Sequence, residues 1–156
     1  MANQQHLELL RQGTEAWNQW RNVHLTTTPE LSEANLEHIN LRNADLNGAN
    51  FTGANLRGAN LQDTYLSLAD FRGADLSGAN LRRALLYKVN LSRADLRDAD
   101  LREANLRHAN LSGAILSRAL LPQGLSLGGA VQRRNLPRGT LPWCRFSTGR
   151  SQRDRP

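Results

Sequence analysis

The chain has 156 residues, 39% hydrophobic but only 5% aromatic, and a formal net charge of +6 at pH 7. That length suits one domain of moderate size, and no apolar run approaches the roughly 20 residues that a membrane-spanning helix needs. The single cysteine, Cys144, cannot form an internal disulfide, which makes a reducing cytoplasm the simplest location.

The charge is unevenly divided. Residues 1–30 carry three acids and two bases, residues 31–121 ten acids and eleven bases, and residues 122–156 one acid and seven arginines. The middle is nearly neutral, and the excess lies in the last segment. These shifts divide the chain at 30 and 121.

The N-terminus lacks the basic stretch and apolar core of a secretory signal. Residues 4–22 predict one short amphipathic helix, with Leu7, Leu10, Trp17 and Trp20 near one face and Gly13 on the same side. Thr26-Thr27-Thr28-Pro29 ends it. Two functions fit: a cap over the exposed end of the next segment, or a partner-binding helix, since tryptophans often anchor interfaces.

From Leu31 to Leu121 every fifth residue is apolar: 19 positions in register, 17 Leu plus Phe51 and Phe71. Two residues earlier stands Ala at 15 of 18 places, the exceptions being Ile39, Thr64 and Val89. Between them usually sits Asn or Asp. An α-helix turns about 100° per residue, so residues five apart would spray around it. A flat strand alternates its faces, so an odd period would send successive leucines to opposite sides. A chain that turns a corner every five residues buries them all along one axis. The expected core is Leu36, Leu41, Leu46, Phe51, Leu56, Leu61, Leu66, Phe71, Leu76, Leu81, Leu86, Leu91, Leu96, Leu101, Leu106 and Leu111. Each is worth roughly 1.5–3 kcal/mol when fully buried. Ala fills the interior where a larger side chain would collide. Asn and Asp suit the corners because their side chains bond nearby backbone. Glycine recurs two places after the core residue, as at Gly73, where a turn needs φ > 0. No proline occurs between Pro29 and Pro122, as expected if every coil pairs its backbone with its neighbours.

This pattern resembles the pentapeptide-repeat family, whose consensus reads A(D/N)LXX. The resemblance covers about 90 of the 156 residues. It implies an all-β solenoid, a right-handed quadrilateral β-helix with four repeats, about 20 residues, per coil. About four and a half coils would then make a rod roughly 20–25 Å long at ~4.8 Å per coil. Phe51 with Phe71, and Asp63, Arg83 and Glu103 alternating in sign, fit a 20-residue coil. Residues Leu9 to Gly13 and Trp17 to Arg21 further resemble the leader of cyanobacterial-type members, which strengthens the N-terminal helical cap.

Residues 122–156 combine four of the five prolines with seven arginines. Such a composition reads as a flexible basic tail, with Leu125, Leu127 and Val131 available to fold over the last coil. Trp143 and Phe146 among arginines offer a second reading, nucleic-acid binding through charge and stacking. An end produced by a shifted reading frame would leave the same abrupt change.

Catalytic constellations are missing from the sequence. His6, His24, His38 and His108 are dispersed, and Cys144 has no base nearby. The chain is read as non-enzymatic, with no cofactor and no metal. Two irregularities mark the exterior. At the Asn/Asp position stand Tyr65, Leu85, Ile115 and Leu120. With a 20-residue coil, Tyr65 and Leu85 stack on one face, and Leu68 and Tyr87 occupy outward positions of that same face. These four form a candidate partner or dimer patch, or a ladder that only packs side chain on side chain. The second irregularity is basic: Arg42, Arg82 and Arg102 align in a column completed by Gln62, with Asp63 and Glu103 beside it, and Asp98 lies 20 before Arg118. Mixed ladders mostly serve solubility.

The expected function is a scaffold or protein-interaction module with an unidentified protein partner, monomeric or weakly dimeric. The resemblance supplies an alternative, because some members imitate duplex DNA and bind DNA gyrase. That mimicry needs a long acidic rod, whereas this body is short and nearly neutral.

Overall fold

A single repeat explains how five residues close a corner. In the computed structural model, which describes residues 1–123 together with Leu127–Gly128 and Phe146–Ser147, the stretch from Ala74 to Gly78 uses all five of its backbone N–H groups. Ala74 donates to the Phe71 carbonyl at 3.0 Å and closes a tight turn. Asp75 donates back to Ala54 at 2.9 Å, and Leu76 and Gly78 donate forward to Asp95 and Arg97 at 2.8 Å. Ser77 donates to the Asp75 side chain at 2.9 Å. A proline anywhere in this pattern would remove a bond.

The same pattern runs along the rod. Bridged residues lie 20 apart from Glu30 and Asn50 to Asp100 and Leu120, all in parallel. Four repeats therefore make one coil, and coils stack directly. The sixteen core residues from Leu36 to Leu111 are at most 5% exposed, and the Phe51 and Phe71 rings stack at 4.7 Å, 4° from parallel. Thr64, in an alanine slot, is buried with its hydroxyl donating to the Leu61 carbonyl at 2.6 Å. All fourteen Asn and Asp residues at the corner position accept the N–H two residues on. Pro122 stands in that donor's place after Leu120, where no such side chain waits.

The corner demands a left-handed residue. Two places after each core residue φ lies between 55° and 72° in every repeat from Glu33 to Arg118, twelve of them not glycine. Positive φ at the third residue of a tight turn marks type II. Each non-glycine residue there costs about 1–2 kcal/mol. The coil-to-coil hydrogen bonds, about 0.5–1.5 kcal/mol each, offset it.

The N-terminal segment differs from the expectation of one helix over 4–22. It forms two, α1 (Gln4–Arg11) and α2 (Thr14–Val23). Gly13 separates them at φ 109° and ψ 170°, a conformation that a side chain would strain. Asn3 caps α1 by accepting from the Gln5 and His6 N–H groups. The pair lies over part of the first coil. Leu7, Leu10 and Trp17 are buried and Trp20 partly so.

Polar groups of the cap replace the missing preceding coil. The Trp17 indole donates to the Asp45 carbonyl at 2.7 Å, and Asn18 accepts from Asp45 N–H at 2.8 Å and donates to the Asn43 carbonyl at 3.0 Å. On the adjoining side His6 Nδ1 accepts from Glu30 N–H at 3.0 Å. That geometry requires the neutral ring, and burial lowers the His6 pKa below 6.5. The unfolded chain then binds the extra proton first, so this contribution is complete above about pH 6.5 and is lost as pH falls below it. Arg21, buried, donates to the carbonyls of His24, Thr27 and Asn47.

Beyond the rod, β1 (Leu127–Gly128) and β2 (Phe146–Ser147) pair in parallel, Leu127 opposite Phe146. The expectations for Leu125, Val131, Trp143, Cys144 and the tail arginines fall outside the described residues. Replacing Leu76 by Lys would bury an unpaired charge in the stack. The variant should lose at least about 3 kcal/mol of stability, read by denaturant unfolding. A wild-type curve would contradict the inward placement.

Candidate functional site

The interior is filled, so any site must lie on the exterior. The outward positions are mostly Asn, Asp, Arg and Ser, and one face departs from that rule. Tyr65 and Leu85 are bridged partners on successive coils. Leu68 N–H donates to the Tyr87 carbonyl at 2.9 Å, which sets those two on the same adjacent rungs. The residues are 48% (Tyr65), 64% (Leu68), 40% (Leu85) and 37% (Tyr87) exposed. The structure thus gathers the four residues into one apolar patch on a polar rod.

Two of them act against the repeat's own chemistry. Leu68 occupies the left-handed corner at φ 63°, which strains a residue with a Cβ, and it is mostly exposed there. Leu85 stands where an Asn would accept the Tyr87 N–H. The Tyr65 repeat has a substitute: Ser67 N–H donates to Asn47 of the preceding coil at 2.9 Å. Ile115 and Leu120 are also exposed, but Ile115 lies on the opposite face and Leu120 on the face before the patch in the coil.

The charged columns are largely self-neutralised. Asp63 joins Arg83, at 2.6 and 2.8 Å, to Arg42 at 3.3 Å. Arg82 pairs with Glu103, Arg118 with Asp98, and Arg102 with its own corner residue Asp100. Nine of the ten carboxylates between 31 and 121 sit in ion pairs, Glu33 being the exception among the described residues. Lys88, Arg93 and Arg107 have no carboxylate partner there. Sequence reasoning missed the first and last of these as neighbours of the patch. Lys88 lies over the Tyr87 ring at 5.3 Å, and the His108 ring meets Tyr87 at right angles, 5.6 Å between centroids.

A cleft of about 600 Å³ beside the last coil is lined by Arg102, Glu103, Ala104, Leu121, Pro122 and Gln123. Its two charged groups are already paired. Among the described residues no cluster of three His, Cys, Asp or Glu could hold a metal ion. No helix among them is long and apolar enough to cross a membrane.

The five-residue corner, the 20-residue coil and the leucine stack are matched by the model for pentapeptide repeats (8 copies) over residues 30–67, 64–102 and 84–122. The chain belongs to the pentapeptide-repeat family. Its fold is the right-handed quadrilateral β-helix of that family with a helical N-terminal cap. Among solved structures it is similar to a pentapeptide repeat protein from the Arabidopsis thaliana thylakoid lumen, at 29% identity over 63% of this chain and 72% of that one, with TM-score 0.50. It is also similar to the pentapeptide repeat protein Rfr23 of the cyanobacterium Cyanothece 51142, at 33% identity over 62% and 67%, with TM-score 0.38. QnrB1, a plasmid-mediated fluoroquinolone resistance protein, aligns at 21% identity over 70% and 74%, with TM-score 0.38. No curated protein matches the chain.

The Arg83 fork holds the Asp63 carboxyl down to about 2 from 3.8, with Arg42 assisting. Asp63 therefore adds stability above the ordinary carboxylate range, and that addition is lost as pH falls from about 4 towards 2. A carboxyl NMR titration should place Asp63 near 2, and Arg83→Gln should return it towards 3.8. A midpoint near 3.8 in the unsubstituted protein would mean that the pair is not formed.

Proposed function

We propose that this pentapeptide-repeat protein is a non-enzymatic protein-interaction module whose contact surface is the patch of Tyr65, Leu68, Leu85 and Tyr87. In this reading residues 1–30 are a cap, residues 31–121 a rigid rod that displays the patch, and residues 122–156 an appended basic tail. The observation that carries it is the exposure of four large apolar side chains on adjacent rungs, two at positions where the repeat would be better served by a polar residue. Exposed apolar surface clustered on an otherwise polar rod is a sign of an interaction site. A cytoplasmic location rests on the single cysteine alone.

Gyrase binding through DNA mimicry receives no support from this surface. A mimic needs a stripe of uncompensated acid, and nine of ten body carboxylates are neutralised by cations here.

Replacing Leu68 and Leu85 together by Asn separates function from stability. Asn tolerates the left-handed corner better than Leu, and at 85 it can accept the Tyr87 N–H. The melting temperature should hold or rise, by up to about 1 kcal/mol of stability, while a partner captured from a lysate of the source organism is lost. A lower melting temperature with the partner retained would instead assign the patch to side-chain ladder packing.

A further inference from the structure

The partner's chemistry is written on the rim of the patch. Arginines on this rod normally find a carboxylate in one of two ways. Arg72, Arg97 and Arg102 turn back to the Asp two residues before them, and Arg42, Arg57, Arg82, Arg83 and Arg118 reach an acid on another coil. Arg107 can do neither: two places back is Asn105, and 20 places back is Tyr87. Lys88 has Leu68 one coil before it and His108 one coil after it. Both cations are exposed, and both border the apolar residues, at the C-terminal side of the patch.

The patch also limits the shape of what it takes. Apart from the Tyr87 N–H, its backbone is held in coil-to-coil and turn bonds, such as Leu66 N–H to Leu85 and Leu85 N–H to Thr64, each 2.9 Å. A partner cannot add a strand here and must bind through side chains. Two coils at ~4.8 Å each give the patch a width near 10 Å along the axis, about the diameter of one helix.

Resting on the reading of the patch as a contact surface, we propose that its occupant is an acidic amphipathic helix of another protein, with apolar side chains on Tyr65, Leu68, Leu85 and Tyr87 and carboxylates on Lys88 and Arg107. The chain's own tail is a poor occupant, since its seven arginines and one acid would meet Lys88 and Arg107 with like charge. A second copy docked patch to patch would bring the same two cations against themselves.

The test uses the full chain with a photoreactive benzoylphenylalanine in place of Tyr65, irradiated in a lysate of the source organism, and mass spectrometry of the crosslinked segment. The expected segment carries apolar residues at helical spacing with Asp or Glu beside them. Crosslinking should fall about tenfold in the Lys88→Glu/Arg107→Glu variant, and also fall when salt is raised from about 0.05 M to about 0.5 M. A neutral or basic segment, or a nucleic acid, would overturn the proposal. So would a yield that charge reversal leaves unchanged while Leu68→Asn/Leu85→Asn abolishes it, and in that case the patch would stand as a contact surface. A yield that neither variant changes would remove both the contact surface and its acidic partner.

Discussion

Everything in this molecule depends on keeping backbone hydrogen bonds while turning a corner every five residues. Three of the five N–H groups of a repeat bind neighbouring coils, one closes the turn and one is taken by a corner Asn or Asp. The geometry that permits this holds one residue per repeat in the left-handed region, whatever its side chain. Leucine supplies the driving force, since its burial is available only when the coil closes. The Ala slot stays small because two side chains per repeat must share the axis. An interior filled in this way leaves the exterior lattice as the place where function can be written.

Both ends of such a rod present raw backbone. At the N-terminus the cap answers with side chains: His6, Trp17, Asn18 and Arg21 bond groups that a preceding coil would have taken. It does so on two adjoining sides, at Glu30 and at 43–47, and leaves Asn35 and Asn40 exposed. The cap is thus partial, and the same protein has a covered and an uncovered edge of one coil.

Much of this was legible in the sequence, because a strict period converts directly into geometry. Subtracting 20 predicted the Phe51 and Phe71 stack, the Asp63 and Arg83 pair and the neighbourhood of Tyr65 and Leu85. The helical segment was less legible. Gly13 sat on the apolar face and suggested close approach, whereas its backbone freedom breaks the helix in two. The polar cap residues carried no periodic signal, since each answers one orphan group. Lys88 and Arg107 could have been found by the same subtraction, had it been used to ask which cations lack an acid. Chemical specificity here resides in exceptions to the repeat, and an exception reveals its meaning only when the regular partners around it are placed.

Residue-resolved amide hydrogen exchange reads out whether one hydrogen-bonded pentapeptide corner is repeated through the rod. Strong protection is expected from Leu41 to Ala99, with the N–H two places before, one place before, at and two places after each core residue the slowest, and the corner-bonded N–H faster, in a five-residue rhythm. Fast exchange is further expected at Asn35 and Asn40, and slower exchange at Glu30 and Asp45, which His6 and Asn18 hold. Protection without the five-residue rhythm, or equal exchange at all four first-coil sites, would contradict the repeated corner and its partial cap.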